Sequence, residues 1–307
     1  SDPAKSTISI YVTYDTVGTY IPAMTTAPSG TKGLTLYFTT ENADTLIPVT
    51  RFSVENKSLT RMTIEQLQNG PQNPKLKTVI GDVTNCTYNN GNVVIDVPSS
   101  FRQYDEGSSG GTLAYNAFVK TIFAVDRYWP IYTVSFTVDR KNVEAYFHGI
   151  GNIKSIPNKK DNYLIYLAYK VDERYYLFDT RVNEQISSIN ENDSIEDKAK
   201  KLFDAYFNNQ LQYGRSPIPN DVVLQSAKLE GKNIVLDFND AFLKAYENKD
   251  DLKIMMVESL LYSFTRIPNV NGLRITVNDK PLTNFVKDRD LSGILTPPKF
   301  INPEIVQ

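Results

Sequence analysis

The chain has one histidine, one cysteine and one tryptophan in 307 residues. With Cys86 alone, no disulfide can form within the chain, so stapling of a small core is excluded. His148 and Cys86 together cannot build a zinc site of ordinary type. Any Ser-His-Asp or Cys-His arrangement would have to run through that one imidazole. No apolar run approaches the ~20 residues that span a bilayer. No Gly-x-Gly-x-x-Gly or phosphate loop occurs. Basic residues form no long run either. The net charge of −2 and pI near 5.6 leave no footprint for nucleic acid. Lys159-Lys160 is the densest basic pair of the middle of the chain, and it reads as linker. No signal peptide is seen, and the chain opens Ser1-Asp2-Pro3, as a trimmed or mature form would.

What is there is ordinary globular material: 41% hydrophobic and 22% charged residues, enough length for about two domains. The strongest feature is an internal repeat. Asn92-Val93-Val94-Ile95-Asp96-Val97 matches Asn233-Ile234-Val235-Leu236-Asp237-Phe238, and each reaches a phenylalanine four residues on, Phe101 and Phe242. Each motif follows a turn signal, Asn89-Asn90-Gly91 or Glu230-Gly231, with a strand-like stretch before it, Val79–Tyr88 or Val222–Leu229. Both pairs read as β-hairpins.

A helix follows each hairpin. Leu252, Met255, Met256, Ser259, Leu260, Ser263, Phe264 and Ile267 form one stripe at helical spacing; Leu113, Ala117, Phe118, Thr121, Ile122 and Val125 form the other. Pro130 and Pro268 end these helices. Alternating strands come next, with Val134, Phe136 and Val138 matching Leu273, Ile275 and Val277. Ahead of each hairpin lie two strands and a helix. The first strands are Leu34–Phe38 and Tyr163–Leu167, and the second lie near Leu46–Val54 and Tyr175–Val182. The first helix spans Thr63–Asn69 in one copy; in the other it starts at a capping pair Ser194-x-x-Asp197.

The order predicts an α+β protein of two tandem domains, each a mixed three- to four-stranded sheet with two helices packed on one face. Residues 1–33 read as an N-terminal extension with a strand-like run at Ile8–Tyr14. Residues 34–146 are the first domain, 147–162 a linker, 163–290 the second domain, and 291–307 an irregular tail rich in proline.

Chemistry is scarce. Cys86 reads as a small hydrophobe in a strand, because nothing adjacent would activate its thiol. His148 reads as a linker histidine. Gly107-Ser108-Ser109-Gly110-Gly111 is out of register for a nucleophile elbow and reads as a flexible loop before a helix. Asp96 and Asp237 occupy equivalent places, and a polar-face or turn-capping role outweighs an acid at a strand end. Glu191, Asp193, Glu196 and Asp197 suit a helix start and lack the pattern of a calcium loop. Catalytic, cofactor-binding and metal-binding residues are therefore expected to be none. Tyrosine is abundant, 19 in all, and some of the cluster Tyr163, Tyr166, Tyr169, Tyr175 and Tyr176 is expected to be exposed.

The repeat resembles the GerM domain, the sporulation and spore-germination domain. The residues carrying the match are Leu36-Tyr37-Phe38, Gly70-Pro71, Asn92–Val97 with Phe101, Ile218-Pro219, Asn233–Phe238 with Phe242, and Leu252–Thr265 followed by Pro268-x-Val270 and Leu273-x-Ile275-x-Val277. The likeness covers 34–146 and 163–285, and two such domains in tandem match GerM-domain sporulation lipoproteins. The resemblance implies the ring-building fold and a non-catalytic role in endospore formation. It also implies a lipid anchor outside this chain, between the mother-cell and forespore membranes, and proteins of the transenvelope channel as partners, with ring formation as one route. No nucleic acid is expected, and in dilute solution the chain is expected to be a monomer. Two rival readings stand beside it: a cell-wall glycan-binding module that uses tyrosines in a groove, and an envelope hydrolase with a carboxylate pair in a deep pocket.

Overall fold

The computed structural model describes residues 17–101, 108–182, 188–208 and 214–305; the strand-like run at Ile8–Tyr14 lies outside them. After a short β1 (Thr19–Tyr20), strands β2 (Lys32–Thr40) and β3 (Leu46–Ser53) form an antiparallel hairpin. Helix α1 (Leu59–Asn69) begins a turn earlier than its apolar pattern suggests, and β4 (Leu76–Lys77) pairs with the end of β2. β5 (Asn85–Asn89) and β6 (Asn92–Val97) are the expected second hairpin. Asn90 and Gly91 take φ of 49° and 87°, the backbone a two-residue turn needs to match strand twist. Helix α2 (Ser108–Phe123) then crosses to β7 (Thr133–Val138), which runs parallel to β6. A small hairpin, β8 (Ala145–Phe147) and β9 (Gly151–Ile153), is followed by β10 (Ser155–Pro157) on the outer edge of β7. Thus β8–β10 occupy much of the segment expected to be linker.

The second copy repeats the order. β11 (Leu164–Val171) and β12 (Arg174–Arg181) pair over their full length. Ser194 Oγ accepts the Asp197 N–H at 3.1 Å and caps α3 (Ile195–Asn208). β13 (Leu224–Glu230) and β14 (Asn233–Phe238) form the hairpin, α4 (Ala241–Lys244) is one turn, and α5 (Asp250–Phe264) crosses to β15 (Gly272–Val277), parallel to β14; β16 (Lys280–Pro281) closes the edge. In each copy the strands divide between two sheets. One holds the first hairpin, and the other the later strands in the orders β10-β7-β6-β5 and β13-β14-β15-β16.

The long helices carry hydroxyls inside their apolar stripes for a reason. The first hairpin of each copy leaves a strand edge whose buried backbone groups need partners. Thr121 Oγ accepts the Tyr37 N–H at 3.2 Å. In the second copy Ser263 Oγ accepts the Tyr166 N–H at 2.9 Å, and Ser259 Oγ donates to the Tyr166 carbonyl at 2.6 Å. The Tyr206 hydroxyl lies 3.0 and 2.5 Å from those two serine oxygens. Apart from half-buried Leu113, the rest of both stripes is buried, with Phe118 edge-on to Phe136 at 5.6 Å.

The two ends of the chain exchange partners. β1, which precedes the first copy, pairs in parallel with β12 of the second. Beyond it, Glu258 Oε1 of α5 accepts from the Tyr20 hydroxyl at 3.0 Å and the Ala23 N–H at 2.9 Å. The tail, which follows the second copy, first pairs Leu295 with Leu273, then Phe300 with Met24, and finally lies on β3 of the first copy. There Thr50 donates its N–H to the Asn302 carbonyl at 3.2 Å and its hydroxyl to the Ile301 carbonyl at 2.7 Å, and it accepts the Glu304 N–H at 2.8 Å. Asn302 is fully buried. Its side-chain amide donates to Pro48 O at 2.8 Å and Leu177 O at 2.7 Å and accepts from Leu177 N–H at 3.2 Å, bridging β3 and β12. Gly33 is required beneath the tail: a Cβ there would stand 2.4 Å from the Phe300 ring.

This brace corrects the expectation for the tyrosine cluster. Tyr166, Tyr175 and Tyr176 are buried and Tyr163 and Tyr169 half-buried, because the β11–β12 hairpin is covered by its own helices and also by the tail and the first copy. Asn73 of the first copy donates to the Tyr176 hydroxyl at 3.1 Å.

Candidate functional site

A cleft of about 840 Å³ opens between the copies. Its walls come from β2, the end of α2 and the turn after it, residues 158–161, β11, β12, the end of α5, and tail residues 297–301. Asp179 of β12 sits on its wall with its side chain only 7% exposed, and Lys120 of α2 reaches Oδ2 at 2.6 Å. Burial is the largest influence on the Asp179 pKa and would raise it; the Lys120 ammonium and its hydrogen bond, with a backbone N–H and Arg266, together outweigh burial and lower it. Asp179 Oδ1 has no hydrogen-bond partner among the described residues. The Lys120 ammonium also lies 5.0 Å over the Tyr37 ring.

The tyrosines of this cleft are already engaged. Tyr166 and Tyr262 stack on each other at 5.2 Å, and Tyr262 donates its hydroxyl to Pro298 O at 2.6 Å. Tyr128 exchanges hydrogen bonds with both backbone groups of Gly33 and carries Lys32 over its ring at 5.1 Å. Burial, then the charge of Asp179, pushes the Tyr166 phenol up to about 12. Arg266 beside it is raised, first by Tyr166. Arg127 donates to Lys299 O at 2.5 Å and Thr35 Oγ at 3.1 Å, tying the first copy to the tail. The remaining carboxylates are also occupied: Asp126 accepts the Ile131 N–H at 3.0 Å, and Asp161 pairs with Arg181 at 3.1 Å.

The residues singled out from sequence lie elsewhere and are not brought together. Asp96 accepts from the Thr137 hydroxyl at 2.6 Å, the Arg140 N–H at 2.7 Å and the Thr84 hydroxyl. Burial pushes its pKa up, and these donors lower it more. Asp237 accepts from the Thr276 hydroxyl and the Asp279 N–H, both at 2.7 Å. Both aspartates therefore fasten the strand after the helix and its turn. They are buried at 4% exposure and not on a polar face. Cys86 is packed in the core, and burial pushes its thiol up to about 12. His148 is half-buried at the β8–β9 turn, its ring edge-on to Tyr146 at 6.5 Å. Residues Ser108–Gly111, expected as loop, are helical, and Gly107 lies outside the described residues. Gly111 lets α2 approach the turn: a Cβ there would meet His148 O at 2.3 Å. Asp193 accepts the Asn190 N–H at 2.9 Å and pairs with Lys201 at 2.8 Å, a salt-bridged helix start.

A family model described as Germane, sporulation and spore germination, matches residues 35–144 and 170–283. The chain belongs to that family. Its fold resembles the tandem GerMN domains of the sporulation protein GerM from Bacillus subtilis, with a TM-score of 0.64 at 16% identity, covering 89% of this chain and 99% of that one. The first GerMN domain of the same protein, solved alone, aligns at 13% identity and a TM-score of 0.33, covering 43% of this chain and 96% of that one. No curated relative matches. The Germane segments leave out β1, residues 145–169 and the tail. The brace and two walls of the cleft thus lie outside the two matched segments. The two sequence signals near them are the Lys159-Lys160 pair and the proline-rich tail.

Proposed function

We propose that this Germane-family chain is a non-catalytic component of an extracytoplasmic assembly of the sporulating cell. It supports the transenvelope channel complex between mother cell and forespore, held at the membrane by a lipid anchor outside this chain. Ring formation is one route to that support. The observation carrying the reading is the brace. Two domains of a sporulation family are fastened by both chain ends, so the pair is presented to partners as one body. That is what a scaffold needs. The carboxylates of the inter-domain cleft are engaged in structural contacts, which favours a scaffold over a hydrolase. The cleft tyrosines have their rings or hydroxyls occupied, which favours it over a glycan-binding module.

Site-specific photocrosslinking in sporulating cells, with the crosslinker on the outer faces of the two domains, tests the proposal. Adducts with channel proteins are expected. Retention on purified cell-wall sacculi, with no protein adduct, would transfer the reading to glycan binding.

A further inference from the structure

Six cationic and three acidic side chains line the inter-domain cleft of a chain whose overall charge is −2. The cleft therefore carries a formal +3 within an otherwise acidic protein. The cations fall into two sets. Lys120 and Arg127 are committed to internal contacts. Lys159, Lys160, Arg266 and Lys299 are exposed, line the cleft, and form no salt bridge among the described residues, although Arg266 is shared with the Tyr166 hydroxyl and the field of Asp179. They come from three separate segments: the connection between the domains, the end of α5, and the tail.

We propose that this cleft is the docking site for an acidic, extended segment of a partner protein. The proposal deepens the assembly reading above and rests on it for the partner being a protein. Carboxylates of the segment meet these four cations. A polypeptide can set several carboxylates along one extended chain and so reach cations held on three segments. A sugar polymer would look for open ring faces, and those of Tyr37, Tyr128, Tyr166 and Tyr262 are covered by lysines or by one another. A single small anion would call for buried, converging donors, whereas these cations are exposed and spread over three segments. Attraction of this kind speeds encounter and is screened by salt.

The test uses the full chain and a fluorescently labelled oligoglutamate peptide, followed by anisotropy at low and at physiological ionic strength. Binding that weakens with salt is expected. The combined variant Lys159→Glu, Lys160→Glu, Arg266→Glu and Lys299→Glu should weaken it at least ~10-fold. A control with the same charge change elsewhere, Lys77→Glu, Lys232→Glu, Lys244→Glu and Lys280→Glu, should stay within ~2-fold. Thermal melts establish that both variants fold. Equal losses in the two variants, or no binding at low ionic strength, overturn the proposal. So does capture of sacculi or phosphatidylglycerol vesicles through the four cleft residues without peptide binding. In cells, a cleft variant that crosslinks to channel proteins as well as the parent does overturns the cleft and leaves the assembly reading standing. Peptide binding through the cleft with no crosslink to any envelope protein overturns assembly alone.

Discussion

Single residues in this protein fasten segments that are far apart in sequence. Asn302 is the plainest case, because its amide answers backbone groups of both domains. Asn302→Ala leaves those groups buried without partners, which costs about 3 kcal/mol. Chemical denaturation should show that loss; a change within the noise of the melt would mean that water replaces the amide. Glu258 acts differently. Burial pushes its pKa from 4.5 up to about 7. The folded protein keeps this proton to about pH 7, whereas the unfolded chain releases it near 4.5. Its contribution is therefore most favourable below pH 4.5. It falls as pH rises through 7, where the buried charge costs about 3 kcal/mol. Glu258→Gln should raise the melting temperature at pH 8 relative to the parent and flatten the profile between pH 5 and 8. Parallel profiles for the two proteins would show that the group is not buried as described.

At the level of elements, what could be read in the sequence was periodic and local. The stripe ending at Phe264 and the Asn90-Gly91 turn each declare their partners within a dozen residues, and the helices and hairpins stand where those patterns put them. Thr121, Ser259 and Ser263 were legible as members of the stripes, but their task was not, since it depends on the edge of a strand ~90 residues away. β1 and the tail were missed altogether. Two to four residues without alternation carry no period, and the partners that join them to the other domain lie more than 150 residues off. The basic cleft was hidden for the same reason: its cations are scattered until the domains close. Leu260, with no exposed surface in α5, tests the element that was legible. Leu260→Ala is expected to cost roughly 2–5 kcal/mol. A loss well under ~1 kcal/mol in urea unfolding would put that face of the helix elsewhere.

For the whole molecule, the edges that could recruit a second copy are partly closed from within. The edges of β2 and β11 are met by helix hydroxyls, and β12 and β3 receive the two chain ends. The purified chain should accordingly scatter light as a monomer at micromolar concentration, with assembly arising from tethering or from other proteins that raise local concentration. A stable homo-oligomer under those conditions contradicts this. The exchanged ends also bear on how the protein is born. Residues 17–24 leave the ribosome long before their partners at 173–175, 251, 258 and 300 do. β3 likewise waits for Asn302 and Glu304, about 250 residues further along. The first domain can form its local hairpins and helices as it appears. Its outer strand stays unsealed until those residues have emerged, and both domains then reach their final state in one closing step.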